Sequence, residues 1–266
     1  MNASESSPRT QTVLGVSVHP LSRTAAIERI MQALAEPPGN SGGCRFVVTP
    51  NLDHARLLRD HRGLQSAYAQ AWLVVADGMP LVWAAKLMGQ PLPERIAGSD
   101  LVPGLLAQAS PAQPLRYFLL GAPPGVAEQA ALQNQSRYPR AICVGTLAPE
   151  LGFENDEAQC DSIVKTINAA EPALLIIGLG APKQELWIAQ HHHKLSANVA
   201  ICAGATIEFM AGKTSRAPQW MQNAGLEWVH RMSLQPKRLM ARYARDAAAL
   251  PGLVWQDWRR KKRAKP

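Results

Sequence analysis

Short apolar runs separated by helix-length segments dominate this chain and restrict it to few architectures. Candidate strands are Thr12–Val18, Arg45–Thr49, Trp72–Ala76, Leu115–Leu120, Arg140–Val144, Ala173–Ile177 and Asn198–Cys202. Between them, Arg23–Ala35, Leu52–Gln70, Pro80–Met88, Val126–Ser136, Glu157–Ala169 and Lys183–Lys194 read as helices. Short apolar runs that alternate with helix-length segments predict an α/β protein: Rossmann-like, with a mainly parallel sheet flanked by helices. At 266 residues and 47% apolar content, the chain is long enough for a real core, and general disorder is excluded. Its best apolar stretch, ALLIIGLGAP, is broken by glycine and proline well short of the roughly 18 residues of a membrane span. The first ten residues contain an acid and a proline but no apolar core, so they are not read as a secretory signal, and a cytosolic protein is expected. Proline-rich SPAQP at 110–114 is either an internal boundary or a loop.

Charge divides the chain unevenly. Residues 231–266 hold eleven Lys or Arg against two acids, a net +9, while the remaining 230 residues sum to −1. The expected organisation is therefore an α/β domain over 1–230 and a basic helical C-terminal appendage over 231–266, attracted to a polyanion. Arg231, Arg238, Arg242 and Arg245 are spaced to share one helix face, beside an apolar face with Leu239 and Tyr243. Trp255 and Trp258 precede five consecutive basic residues, the composition of a membrane-surface anchor. Nucleic acid could be held by the same residue types, and a solvated tail from Arg259 onward is the plainer alternative.

Two strand ends carry polar groups suited to chemistry. RFVVTPNLD exposes Thr49, Asn51 and Asp53, and WLVVADGMP ends in Asp77. A carboxylate at the mouth of a parallel sheet can act as a general base, and it can equally cap the following helix. Asp53 and Asp60 are read as helix-face residues. FLLGAPPG, LLIIGLGAPK and ICAGATIE each run from strand into glycine turn and helix, which makes a nucleotide site at those strand ends a fair default. No dinucleotide or P-loop fingerprint is complete. His191–His193 point about 100° apart on a helix, so they do not converge on one ion and read as a solvated helix end. The chain has no DxD pair to chelate a metal-bound diphosphate, so arginine, lysine or backbone amides would have to hold one. Cys44, Cys143, Cys160 and Cys202 show no CxxC spacing, and neither disulfides nor a zinc site is expected.

TPNLDH (49–54), ADGMPLVWAAKLMGQPLPERIAGSDL (76–101), GLGAPKQELWI (178–188) and GATIEFMAGKTSRAPQWMQNAGLEWVHRM (204–232) occur in that order. In these segments the chain resembles the WecG/TagA/CpsF family of bacterial glycosyltransferases, from about Val13 to about Tyr243. The resemblance implies an inverting, metal-independent transferase that uses no cofactor. It would move a hexosyl unit, of N-acetylmannosaminyl or glucosyl type, from a UDP-sugar to a polyprenyl-pyrophosphate-linked sugar in cell-surface polysaccharide biosynthesis. Asp77 matches the base proposed for the family. Thr49, Asn51, Arg95 and Gln184 match pocket residues, and Arg231, Arg238 and Arg242 match a segment thought to complete the site on the membrane. The expected partners are a UDP-sugar, a lipid-linked acceptor and the anionic inner face of the cell membrane, where the protein would be peripheral. Nucleic acid is not among them, and the sequence leaves room for a homo-oligomer. The rivals are an NAD- or SAM-dependent α/β enzyme and a nucleic-acid-binding protein acting through its tail.

Overall fold

The structure is a computed structural model that describes residues 10–37 and 42–263, leaving out the side chains of Asn223, Arg238, Lys261 and Arg263. Six strands form one parallel sheet: β3 (Arg45–Val48), β4 (Leu73–Val74), β5 (Leu115–Gly121), β6 (Ala141–Leu147), β7 (Leu174–Gly178) and β8 (Val199–Cys202). Their order is β4-β3-β8-β7-β5-β6. A separate two-stranded hairpin, β1 (Gln11–Val13) with β2 (Val16–Val18), stands where the sequence suggests one strand. Leu14 and Gly15 both take positive φ there and turn the chain back.

Parallel neighbours need crossovers, and these cover both faces of the sheet with helices. Phe46, Val48, Phe118, Leu120, Leu175, Ile177, Ala200 and Cys202 pack on one side. Their partners come from α2 (Leu52–Asp60), α3 (Arg62–Gln70), α4 (Met79–Leu87), α7 (Glu157–Ala169) and α8 (Lys183–His191). Val47, Tyr117, Leu119, Leu174, Ile176, Val199 and Ile201 face α1 (Arg23–Leu34), α5 (Gly98–Leu106), α6 (Val126–Arg137) and α9 (Thr206–Met210) on the other. Both side-chain sets of β3, β4, β5, β7 and β8 are therefore largely buried, which is why those runs are apolar without alternation, whereas the edge strand β6 buries only Ala141 fully.

Several boundaries differ from the sequence reading for identifiable reasons. The helix expected over 52–70 breaks at His61, whose extended backbone ends α2 and whose ring accepts the Leu64 N–H to cap α3. Helix α5 was not expected, because Gly98, Pro103 and Gly104 resemble breakers. Pro103 cannot donate to the Ser99 carbonyl, and Arg216 Nη1 supplies that bond instead at 3.3 Å. A Cβ at Gly98 would lie 3.1 Å from Ala203 Cα, so glycine lets α5 start in close contact with the end of β8. Residues 110–114 form the turn that leads into β5. Of the three histidines at the end of α8, His193 is solvated as expected, whereas His191 and His192 are engaged by the body. His191 is buried against Trp187 at 5.1 Å between ring centroids, and the His192 carbonyl accepts the Cys44 N–H at 2.8 Å.

The C-terminal segment is helical in three pieces: α10 (Gln219–Asn223), α11 (Glu227–Leu234) and α12 (Pro236–Arg263). The chain bends at Gln235, so Arg231 lies on α11 while Arg242 and Arg245 lie on α12, rather than all on one helix. Helix α12 packs over α2 and buries Leu239 and Leu253. Among the described residues no helix is long and apolar enough to cross a membrane.

Candidate active site

Strand β3 passes into α2 on one face of the sheet, and its neighbour β8 passes into α9 on the other. Such a divergence opens a crevice at the carboxyl ends of the strands. A cleft of about 380 Å³ lies there. Thr49, Asn51, Asp77, Arg95, Gln184, Arg231 and Arg242 all line it, although they are scattered over almost 200 residues of sequence. The side chain of Arg238, the remaining candidate, lies outside the described residues.

Each side chain is placed by its element. Thr49 Oγ1 donates to the Cys202 carbonyl at 3.1 Å and ties the end of β3 to that of β8. Asn51 caps α2, its Oδ1 accepting the N–H groups of Asp53 and His54. Asp77 follows β4 and is not the cap of α4. Gly78 occupies that position with φ of 105°, a conformation favouring glycine. The Asp77 backbone N–H is held by the Pro50 carbonyl at 2.7 Å, and its carboxylate is left to face the cleft and Arg95, 3.6 Å away.

Arg95 is shared among three acids. Besides Asp77 it meets Glu227 of α11 at 2.9 Å and Asp100 of α5 at 3.1 Å. Arg216 holds the other oxygen of Asp100 at 2.8 Å and the Gln222 side chain at 3.0 Å. Burial raises the Asp77 carboxyl, Arg95 and Arg231 draw it down, and Glu227 and Asp100 add to the rise. The balance is pushed up to about 6. With 28% of its side-chain surface open, Asp77 can still be reached from the cleft. A carboxylate so tuned is ionised at neutral pH and basic enough to accept a proton.

Beneath the floor, His54 Nε2 lies 3.2 Å from Glu185 Oε1, which also accepts Gln184 Nε2 at 2.7 Å. Gln184 Oε1 accepts the Gly204 N–H at 3.2 Å. Burial alone would depress the His54 imidazolium, but Glu185, with smaller help from Asp53 and Asp77, holds it above its ordinary value. The appendage reaches the cleft through Arg56, which bridges Asp53 of α2 and Asp246 of α12. Asp53 is thus a buried, ion-paired residue of the cleft wall rather than a plain helix-face acid. Trp83 of α4 and Trp228 of α11, each about half exposed, stand in the same wall. His54, Asp100, Glu185, Arg216 and Glu227 were not singled out from sequence. All five fall inside the segments that carry the family resemblance, the one signal that could have found them.

The sequence model of the glycosyl transferase WecG/TagA/CpsF family matches residues 11–264. The chain belongs to that family. It is a glycosyltransferase. This WecG/TagA/CpsF member is 31% identical over 227 residues to proteins of Staphylococcus aureus strains NCTC 8325 and COL. The match covers 85% of this chain and 85% of each relative. Both relatives are named N-acetylglucosaminyldiphosphoundecaprenol N-acetyl-beta-D-mannosaminyltransferase.

Proposed function

We propose that this glycosyltransferase moves an N-acetylmannosaminyl or glucosyl unit from a UDP-sugar to a polyprenyl-pyrophosphate-linked sugar, with inversion and without a metal ion. The observation that carries the reading is one cleft holding a carboxylate raised to about 6 together with Arg231 and Arg242 from the appendage. Asp77 takes the proton of the acceptor hydroxyl. The acceptor oxygen bonds to the anomeric carbon from one face as the bond to the UDP oxygen breaks on the other, and the single displacement inverts that carbon. Arg231 and Arg242 neutralise the charge that develops on the departing diphosphate. Thr49, Asn51 and Gln184 supply hydrogen bonds to donor and acceptor. The carboxylates nearest the base, Asp100 and Glu227, are already engaged by arginines, which supports a metal-free mechanism.

The names of the S. aureus relatives favour N-acetylmannosamine as the transferred sugar and lipid-linked N-acetylglucosamine as the acceptor. On this reading residues 1–230 are the catalytic domain and 231–266 the membrane-associating appendage, working at the inner face of the cell membrane. Trp255 and Trp258 are half exposed on α12, with Arg259 and Lys262 stacked on them at 3.9 and 3.8 Å, a pairing suited to an anionic lipid surface. A panel of UDP-sugars assayed against synthetic lipid-pyrophosphate acceptors tests the reading, with the anomeric configuration of product followed by NMR. Inverted product from one UDP-sugar in the presence of EDTA is expected. Retention of configuration, or turnover of no UDP-sugar, overturns it.

A further inference from the structure

The proposed reaction leaves unused the most deeply buried charges near the site. His54 is 5% exposed and Glu185 1%. Burying an ion pair is costly, and capping α2 does not require the charge: Asn51 Oδ1 meets two backbone N–H groups, and His54 Nδ1, 3.3 Å from the Asn51 N–H, completes the cap as an unprotonated acceptor. What the pair does fix is the orientation of two carboxamides. A carboxamide has an accepting oxygen and a donating NH₂ end, and exchanging them alters what it offers a ligand. At Asn51, His54 Nδ1 lies 3.0 Å from Oδ1 and 3.3 Å from the backbone N–H, so a protonated ring adds a third donor to the two backbone N–H groups that hold the oxygen inward. The NH₂ of Asn51 is then left for the cleft. At Gln184 the Gly204 N–H claims Oε1 and Glu185 claims one hydrogen of Nε2, which leaves the second hydrogen for a ligand.

We propose that the buried His54–Glu185 pair is a positioning device that turns the N–H groups of Asn51 and Gln184 into the cleft as hydrogen-bond donors to a nucleotide diphosphate. The proposal rests on reading the cleft as a nucleotide-sugar site. Gln184 lies in the first turn of α8, where the helix end also favours an anion. The groups that face the imidazole are Glu185 of α8, Asp53 of its own helix, Asp77 after β4 and Tyr68 of α3. The three carboxylates favour its charged form. When His54 loses a proton, Nε2–H remains opposite Glu185, and Nδ1 changes from a donor to Asn51 Oδ1 into an acceptor of the Asn51 backbone N–H, 3.3 Å away. Asn51 Oδ1 then keeps its two backbone donors but loses the imidazolium, and the carboxamide is held less firmly in the cleft.

The test is UDP and uridine binding to the full-length protein by calorimetry, with donor and acceptor KM, for the wild type, His54→Gln and Glu185→Gln. Both variants are expected to weaken UDP about tenfold and raise donor KM to match. Uridine affinity and acceptor KM should stay within twofold. The wild type itself should lose UDP affinity as pH rises through the His54 titration, followed by ¹⁵N NMR of the imidazole; this measurement serves even where a variant does not fold. Unchanged UDP binding in folded variants, or a neutral His54 at pH 7, overturns the positioning role while leaving the transferase reading intact. A wild type that fails to bind UDP removes the transferase reading and the positioning role with it.

Discussion

Replacing Asp77 by Asn is expected to stabilise the protein while disabling it. Asp77 ionises at about 6 in the folded chain, against an ordinary value of 3.8. At about 1.36 kcal/mol per pH unit, keeping it ionised in the fold costs about 3 kcal/mol. The sign follows from the two pKa values. Above pH 6 both folded and unfolded chains are ionised, and the folded state bears the whole cost. As pH falls from 6 toward 4 the folded carboxyl takes up its proton first, and the cost disappears. Asn has the same shape and never ionises, so Asp77→Asn should exceed the wild type by up to about 3 kcal/mol at pH 7.5 and converge with it near pH 4. Urea unfolding at several pH values measures this difference, and turnover should fall by at least about 10²-fold in the same variant. A variant that is no more stable at pH 7.5, or whose advantage does not shrink on acidification, would refute the claim that burial tunes this carboxylate. Near-normal turnover would remove it as the base.

Activity should persist in excess EDTA with little gain from manganese; loss on chelation, restored by a divalent ion, would reveal a ligand set the cleft does not suggest. Deleting residues 255–266 should weaken co-sedimentation with anionic liposomes by about 1 kcal/mol per basic residue removed from the surface, yet leave turnover on a short water-soluble acceptor. Arg231→Ala should lose about 10²-fold in turnover even on that soluble acceptor, and full turnover with weakened liposome binding would make the segment an anchor only. Arg56→Met leaves Asp53 and Asp246 buried without their cation, and thermal or urea unfolding should show a loss of about 3 kcal/mol.

Much of the sheet is legible in the sequence because β3, β5, β7 and β8 are apolar on both faces and end in glycine or polar residues. Helix α7 is found at its true limits, 157–169, because Asp156 caps it and its apolar positions recur at helical spacing. What escapes a local reading depends on distant partners. Pro103 is tolerated in α5 because Arg216, more than a hundred residues later, takes over the orphaned carbonyl. Asp77 reads locally as either cap or base. The choice is made by Gly78, which occupies the cap position, and by Arg95, which draws the carboxylate outward. Glu185 and Glu227 look like ordinary acids in the first turn of a helix. Only the approach of His54 to one and Arg95 to the other makes them part of the site.

The appendage shows how a periodic signal can be present and still be read on the wrong residues. Its conspicuous spacing is that of Arg231, Arg238, Arg242 and Arg245, yet the bend at Gln235 divides that set between two helices. The stripe that docks α12 is quieter: Leu239, Asp246, Leu253 and Asp257, at steps of seven, seven and four, are all buried. Its two acids are the only ones in a segment of net +9. Both point to the body, Asp246 to Arg56 and Asp257 to the Gly15 N–H at 3.2 Å. A strongly basic helix is thereby held to the body by its rare carboxylates. On a helix, residue 255 falls opposite this stripe and residue 258 about 100° around from Asp257, so both lie off the docking face. Docking through Leu253 and Asp257 therefore requires Trp255 and Trp258 to face outward, and about half of each is exposed. The orientation that brings Arg242 to the cleft also turns the tryptophans, with Arg259 and Lys262 stacked on them, toward whatever surface the protein meets.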